Sequence, residues 1–435
     1  MLLEIDDLLK NNTWDLIIKP KNTPIIKGRW VLNRKLNLNN TIKKYKARWV
    51  AKGFLQQYNI NYKETFASTS KPSIIRLLLS IFNYLNWEIY TWDIKQAFPN
   101  AEIDTNNLYI NLPIGFEEYI LNKALENITN LELKSYIQAI IKSKEYKNIV
   151  CRLNKALYGL KQASRQWQIY LTKILEKLGF SILKIDNSIF IHKTKEIVLA
   201  TYVDDIIVFS KNIDLINTLY RDITNISKLE ITNLGEIKEF LGVEIIRDRT
   251  KKSLIITQKS FINKILNKYN KANNKPKNLP LPVGLKLHKN LEKQQDSKLV
   301  NLYQQELGSL IYITIFTRPD LIYYVNYLAR FMSNPSLEHY NYLNEIWCYL
   351  VKNKDLGLDL TLESNITTKS TNIIYNNKNS NLDYFNTNKL QNSINLIGIS
   401  DLDWGGDLDS RKSTTGNIFI INNNKDNFNS NIAIS

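Results

Sequence analysis

Ala200-Thr-Tyr-Val-Asp-Asp-Ile-Ile-Val-Phe-Ser210 sets two adjacent carboxylates, Asp204 and Asp205, between two apolar runs, the first reaching back to Ile197. Val, Ile, Tyr and Phe favour extended backbone, so the stretch reads as a β-hairpin with both acids at its tip. Two-residue hairpin turns prefer Asn-Gly, Asp-Gly or Gly-Gly because positive φ is needed, and Asp-Asp is a poor choice for turning the chain. Neighbouring carboxylates on an apolar hairpin also repel one another unless a cation neutralises them. On these residues alone two readings stay open, a solvated acidic turn and a divalent-metal site.

A third carboxylate bears on that choice. Trp87-Glu-Ile-Tyr-Thr-Trp-Asp93-Ile-Lys-Gln-Ala-Phe98 reads as an aromatic and β-branched strand ending near Asp93. Alone, Asp93 suits a helix cap or a surface position. Together with the hairpin pair it can form an acidic cradle for phosphoryl transfer between two metals, which sit roughly 3.5–4 Å apart in such sites. Magnesium keeps several waters and uses substrate phosphates, so few protein ligands are required.

Composition is compatible with that chemistry. The 435 residues, 44% of them hydrophobic, allow two or three domains with sizeable cores. A net charge of +17 and a pI near 9.4 favour a polyanionic partner. Lys and Arg are spread along the chain, as suits a groove tracking a phosphate backbone, although a bias toward Lys, Asn and Ile contributes to the same charge. Cys151 and Cys348 are isolated among only three histidines, which excludes a zinc finger and gives no disulfide scaffold. Neither a signal peptide nor an apolar membrane span is found, so an intracellular, soluble protein without membrane contact is expected.

Along the chain, residues 1–27 read as a partly helical lead-in and 28–66 as strands, with helical periodicity from Ser73 to Leu85. Residues 117–148 are helical and polar, Ala163 to Leu178 is an amphipathic helix, and Asn278-Leu-Pro-Leu-Pro282 marks a break. A helical, aromatic-rich pattern runs from Leu302 to Phe331, and residues 361–395 are a polar linker.

Nine ordered stretches then resemble one family, the reverse transcriptases of copia-type LTR retrotransposons. They are Asn12-Thr-Trp14, Tyr45-Lys-Ala-Arg-Trp-Val-Ala-Lys-Gly-Phe54, Tyr62-Lys-Glu-Thr-Phe-Ala67, Asp93-Ile-Lys-Gln-Ala-Phe98, Leu157-Tyr-Gly-Leu-Lys-Gln-Ala163, Tyr202-Val-Asp-Asp205, Phe240-Leu-Gly-Val-Glu-Ile245, Thr317-Arg-Pro-Asp320, and Ser400-Asp-Leu-Asp-Trp404 with Ser410-Arg-Lys-Ser-Thr-Thr-Gly416. The resemblance implies an α+β, right-hand polymerase with fingers and palm over 28–248, thumb and connection over 249–360, and a partial RNase H-like segment over 396–435. It implies RNA-directed DNA polymerase activity with Mg²⁺, Mn²⁺ being an alternative, on an RNA template, a DNA primer, their RNA–DNA hybrid and dNTPs.

By the same resemblance Asp93, Asp204 and Asp205 are the catalytic, metal-binding acids, and Arg48 and Lys52 grip the incoming triphosphate. Arg suits that task because its planar fork binds phosphate oxygens bidentately. Phe98 matches the aromatic gate that excludes a ribose 2′-OH, and Gln162 the Gln that positions template and nucleotide. Gly242 would allow close backbone approach near the primer terminus or mark a bulge. Asp401 resembles the first RNase H carboxylate, in a segment that reads as truncated, and Asp403, Asp407 and Asp409 match a loop. Where the family pattern has Leu and Gly after the gate, this chain has Pro99 and Ala101, and Ala at a turn with positive φ costs roughly 1 kcal/mol. A rival reading is therefore a retrotransposon relic that binds nucleic acid without catalysis.

Overall fold

The computed structural model describes residues 1–36, 42–105, 107–126, 131–227, 229–292, 296–362, 395–402, 405–422 and 432–434. Two units emerge, one of residues 1–70 and 92–234, the other of 71–91 and 235–435.

The first unit is built on a sheet with strands in the order Ile231–Glu236, Glu88–Ile94, Asp205–Ser210, Ile197–Tyr202, Asp186–His192 and Phe180–Leu183. Ile197 to Thr201 and Ile206 to Ser210 are buried without alternation, as expected for central strands covered on both faces. Helix Ile213–Ser227 turns Ile216, Leu219 and Ile223 inward, a spacing that keeps one helical face apolar. Helix Ala163–Lys177 contributes Trp167, Leu171 and Leu175 in the same way.

A second sheet orders Trp14–Ile18, Ile149–Leu153 and Tyr109–Asn111. The first of these strands comes from the expected lead-in, which is an integral part of the unit. Helix Leu2–Lys10 buries Ile5 and Leu8 completely, and both join a core with Trp14, Trp49 and Cys151. The polar stretch after residue 116 forms helices Glu117–Leu125 and Leu131–Ser143, whose Ile120, Leu121, Ile137 and Ile140 enter that core. Strands Gly28–Leu36 and Ile42–Ala51 pair as a hairpin, with Val31 opposite Arg48 and Trp30 opposite Trp49.

In the second unit, helices Lys259–Lys268, Ser297–Phe316, Ile322–Ala329 and Leu337–Lys352 share one apolar core. The helical pattern expected over Leu302 to Phe331 is present as two helices separated at Thr317-Arg-Pro-Asp320. Arg318 is 1% exposed, donates to both carboxylate oxygens of Asp320 and reaches the Asn353 carbonyl, while Pro319 opens a short 3₁₀ turn. Glu306, likewise 1% exposed, accepts from the Trp347 indole at 2.7 Å and the Tyr340 hydroxyl at 3.0 Å, and pairs with Lys271 at 3.5 Å. Among the described residues no helix is long and apolar enough to cross a membrane.

Strand Asn395–Leu402 pairs with Thr415–Asn422, which pairs in turn with Ile432–Ile434, and Asp401 lies opposite Gly416. Most of the expected 361–395 linker, along with Asp403, lies outside the described residues.

Candidate active site

The acidic hairpin forms, but its turn is displaced by one residue from the expected place. Tyr202 pairs with Asp205, so the two turning residues are Val203 and Asp204, and Asp205 already belongs to the strand. Register explains the shift. A one-residue slip would exchange the two faces of the strands, and the wholly apolar segments at 197–200 and 206–209 leave the turn to be set by packing. Val203 takes φ +57°, the left-handed region, at the first turn position where such hairpins favour glycine. A β-branched residue there is strained by roughly 1–2 kcal/mol. The strained peptide is held from the side, since the Trp167 indole N–H donates to the Val203 carbonyl at 2.7 Å.

Asp93 arrives on the neighbouring strand, Glu88–Ile94. The Ile94 N–H donates to the Asp204 carbonyl at 2.9 Å, bringing the backbones of the first and second acids side by side. Asp93, Asp204 and Asp205 are all half-buried, and neither Asp93 nor Asp204 is ion-paired among the described residues. Hard oxygen donors without a resident counter-charge fit a magnesium ion, which would complete its shell with water and substrate phosphates. The fit is a sparse one. Among the described residues no three His, Cys, Asp or Glu groups converge as a metal cluster, so Asp205 does not close a three-acid cage with the other two.

Just past Asp93 the chain reverses through Gln96, at φ +52°, into the short helix Ala97–Asn100. This corrects the strain expected at Ala101. Ala101 is extended, with φ −90° and ψ 137°, and fully buried, so the left-handed residue is Gln96 and alanine fits where it stands. Pro99 lies within the first turn of that helix, where its missing N–H is no loss.

Arg48 is positioned by a residue that motif reading passed over. The Arg48 guanidinium lies over the Tyr158 ring, 4.7 Å from its centroid, and the Phe98 ring meets Tyr158 edge-on at 5.1 Å. Burial pushes the Tyr158 phenol up to about 12; Arg48 opposes the rise, while the charges of Glu4 and Asp204 add to it. Tyr158 therefore stays a neutral hydroxyl between a cation and the acidic site. Its placement depends on an unusually close backbone approach. The Ala51 N–H donates to the Tyr158 carbonyl at 2.8 Å, and a Cβ on Gly159 would stand 2.2 Å from the Ala51 carbonyl oxygen. Gly159 also takes φ +88°. Tyr158 belongs to the Leu157-Tyr-Gly-Leu-Lys-Gln-Ala163 stretch, but only the three-dimensional pairing with Ala51 sets it beside Arg48.

Gln162 is not brought to this cluster. It is completely buried, accepting from Gln56 Nε2 at 2.9 Å and donating to the Asn61 carbonyl at 2.9 Å. With both amide atoms engaged inside the protein, it pins the 56–61 segment rather than facing a substrate. Lys52 falls just beyond its strand, with its backbone N–H bonded to the Lys27 carbonyl at 2.8 Å. Gly242 lies in a tight turn rather than within a strand. It has φ +72°, follows Leu241 at φ +50°, and leaves room for the Tyr312 hydroxyl 2.8 Å from where a Cβ would stand. Asp407 is a loop-stapling acid: the Ser410 hydroxyl and backbone N–H hold its carboxyl down to about 2.

Comparison with known proteins agrees with this geometry. A family model described as reverse transcriptase (RNA-dependent DNA polymerase) matches residues 11–136 and 128–283. The retrovirus-related Pol polyprotein from transposon TNT 1-94 of Nicotiana tabacum is 30% identical over 96% of this chain and 28% of its own length. The corresponding polyprotein from transposon RE1 of Arabidopsis thaliana is 32% identical over 96% of this chain and 25% of its own. The Ty1-NL1 Gag-Pol polyprotein of Saccharomyces cerevisiae is 25% identical over 96% of this chain and 21% of its own. The chain thus spans between a fifth and three-tenths of these relatives. With the family match running through the acidic hairpin, the strand of Asp93 and the hairpin of Arg48, this chain belongs to the reverse transcriptase family.

Proposed function

We propose that the chain is an RNA-directed DNA polymerase that extends a DNA primer on an RNA template, with residues 28–248 acting as fingers and palm. The observation that carries this reading is the Ile94–Asp204 backbone bond, which sets two half-buried acids side by side at adjoining strand ends. In this reading Asp93 and Asp204 hold Mg²⁺ or Mn²⁺, and Asp205 supports them electrostatically. Bound cations would activate the primer 3′-hydroxyl and neutralise the departing pyrophosphate. Arg48 binds the triphosphate through its guanidinium fork, with Tyr158 beneath it as a neutral, stacked support. Phe98, braced edge-on by Tyr158, occupies the space of a ribose 2′-OH. The +17 charge suits a duplex of primer and template.

Extension of oligo(dT) on poly(rA) with Mg²⁺ or Mn²⁺ tests the reading directly. Wild-type protein should extend the primer. Asp93→Asn and Asp204→Asn should each lose extension while binding primer–template nearly as well, because a metal ligand is removed and backbone contacts are not. Residual extension within about tenfold of wild type in either variant refutes the metal assignment.

A further inference from the structure

Two segments distant in sequence meet on the strand that enters the acidic turn. The last pair joining Asp186–His192 to Ile197–Tyr202 is Ile189 with Ala200, so this strand loses that neighbour just before the turn at Val203 and Asp204. A buried backbone carbonyl needs a partner, and the next one, on Thr201, finds it in Ser70. The Ser70 N–H donates to it at 3.3 Å and the Ser70 hydroxyl at 2.9 Å. The Thr201 hydroxyl donates in turn to the Ser188 carbonyl at 3.0 Å.

Asp186 stands behind Ser70. It is 5% exposed, and no ion pair reaches it among the described residues. Its Oδ1 accepts from the Ser188 N–H at 2.9 Å, from the Ser188 hydroxyl and from the Ser68 hydroxyl at 3.3 Å, whereas its Oδ2 is buried without a hydrogen-bond partner. An ionised carboxyl can only accept. The Ser188 proton is therefore committed to Asp186, and the Ser188 oxygen, 3.0 Å from that of Ser70, is left to accept. The one Ser70 hydroxyl proton is then shared between Ser188 and the Thr201 carbonyl. The same loop is tied to the other side of the turn. The Ser68 N–H donates to Gln168 Oε1 at 2.9 Å, and Gln168 follows Trp167, which holds the Val203 carbonyl. A strained turn such as that at Val203 persists only while its surroundings over-determine it.

We propose that Asp186 is a positioning residue for Asp204. Acting through Ser188 and Ser70, it holds the Thr201 carbonyl and so fixes how the strand enters the turn that carries the acid. The inference rests on the reading of Asp204 as a metal ligand.

Terbium(III), a hard cation that seeks oxygen donors, tests this on the full chain through its luminescence when bound near aromatic rings, with no turnover required. Asp204→Asn should remove the binding. Partners that orient a metal ligand directly are worth about 10–100-fold in affinity, and Asp186 acts through a longer chain, so Asp186→Ala and Ser70→Ala should each weaken Tb³⁺ about threefold to tenfold. The double variant should bind no more weakly than the weaker single one, because both substitutions cut the same chain. Asp186→Asn keeps an acceptor for Ser188 and should bind nearly as wild type does. Urea unfolding of each variant sets conditions under which all are folded, and Ser70→Ala, which loses a single hydroxyl, carries the test if Asp186→Ala does not fold. Tb³⁺ binding that depends on Asp204 but keeps wild-type affinity in Asp186→Ala and Ser70→Ala, whatever their stability, would overturn the proposal alone. So would additive losses in the double variant, or a loss in Asp186→Asn equal to that in Asp186→Ala. Binding that survives Asp204→Asn, or no binding to wild-type protein, would overturn the metal reading and this inference with it.

Discussion

Gly159→Ala is the most informative single methyl group that can be added to this protein. The new Cβ would stand 2.2 Å from the Ala51 carbonyl oxygen and 2.6 Å from Val50 Cγ1, both fixed in the Arg48 strand. Backbone cannot move aside as a flexible side chain can, so the Tyr158–Gly159 turn must retreat. Alanine at φ +88° adds left-handed strain of roughly 1–2 kcal/mol. Retreat would also break the 2.8 Å bond from the Ala51 N–H to the Tyr158 carbonyl, worth about 1 kcal/mol. Together these predict a loss of about 2–3 kcal/mol. Gly115 offers an internal control, because it has φ +83° but nothing within 4 Å of an added Cβ. Gly115→Ala should therefore show the strain alone, about 1–2 kcal/mol. Urea unfolding of both variants separates collision from strain, and dNTP kinetics on poly(rA)/oligo(dT) show whether Tyr158 has moved from Arg48. Gly159→Ala should raise the dNTP KM and Gly115→Ala should not. Equal destabilisation by the two substitutions, with unchanged KM in both, refutes the close-approach argument.

Three further outcomes are expected. Phe98→Val should increase ribonucleotide incorporation in competition with dNTPs, and unchanged discrimination would mean that the ring serves only the core. Gln162→Ala should lower stability by about 2–4 kcal/mol, because the buried Gln56 amide and Asn61 carbonyl lose their partner, with little change in dNTP KM at temperatures where the variant is folded; a large kinetic defect in a stable variant would restore it to the nucleotide site. Trp167→Phe removes the donor to the Val203 carbonyl and should lower kcat more than primer–template affinity, which extension and filter-binding assays separate. Wild-type kcat in that variant would show that the strained turn needs no such support.

Apolar patterning was enough to locate the strand ending near Asp93 and the two strands around Tyr202-Val-Asp-Asp205, because strongly β-prone runs declare themselves locally. The turn between those strands was less legible. Turn preferences argued from Asp-Asp itself, whereas the register was decided by burial on both faces of the flanking strands, and Val203 adopted a conformation its chemistry disfavours. Tyr158 was silent for a different reason. Its neighbour Arg48 is distant in sequence, and nothing in a tyrosine before a glycine announces that contact. Gln162 is ambiguous in the opposite direction, since a polar residue in a family motif is also what a buried hydrogen-bond pin looks like.

The bond from Ile94 to Asp204 also gives the acids a different footing from that of Arg48. Asp93 sits on a strand flanked by others of the same sheet and Asp204 in the turn of the neighbouring hairpin, and the bond between them ties that turn to the sheet. In the proposed function, chemistry that tolerates only a narrow range of metal spacing would be anchored to that sheet. Arg48 rides instead on a two-stranded ribbon, fastened near its base by the Ala51–Tyr158 and Lys52–Lys27 bonds. Among the described residues that ribbon has no further strand beside it, and it is anchored by Trp49 in the core. In the proposed function, a nucleotide arriving between them would meet carboxylates held by a six-stranded sheet and a cation carried on a two-stranded one, so adjustment to different nucleotides would fall on the ribbon before it reached the acids.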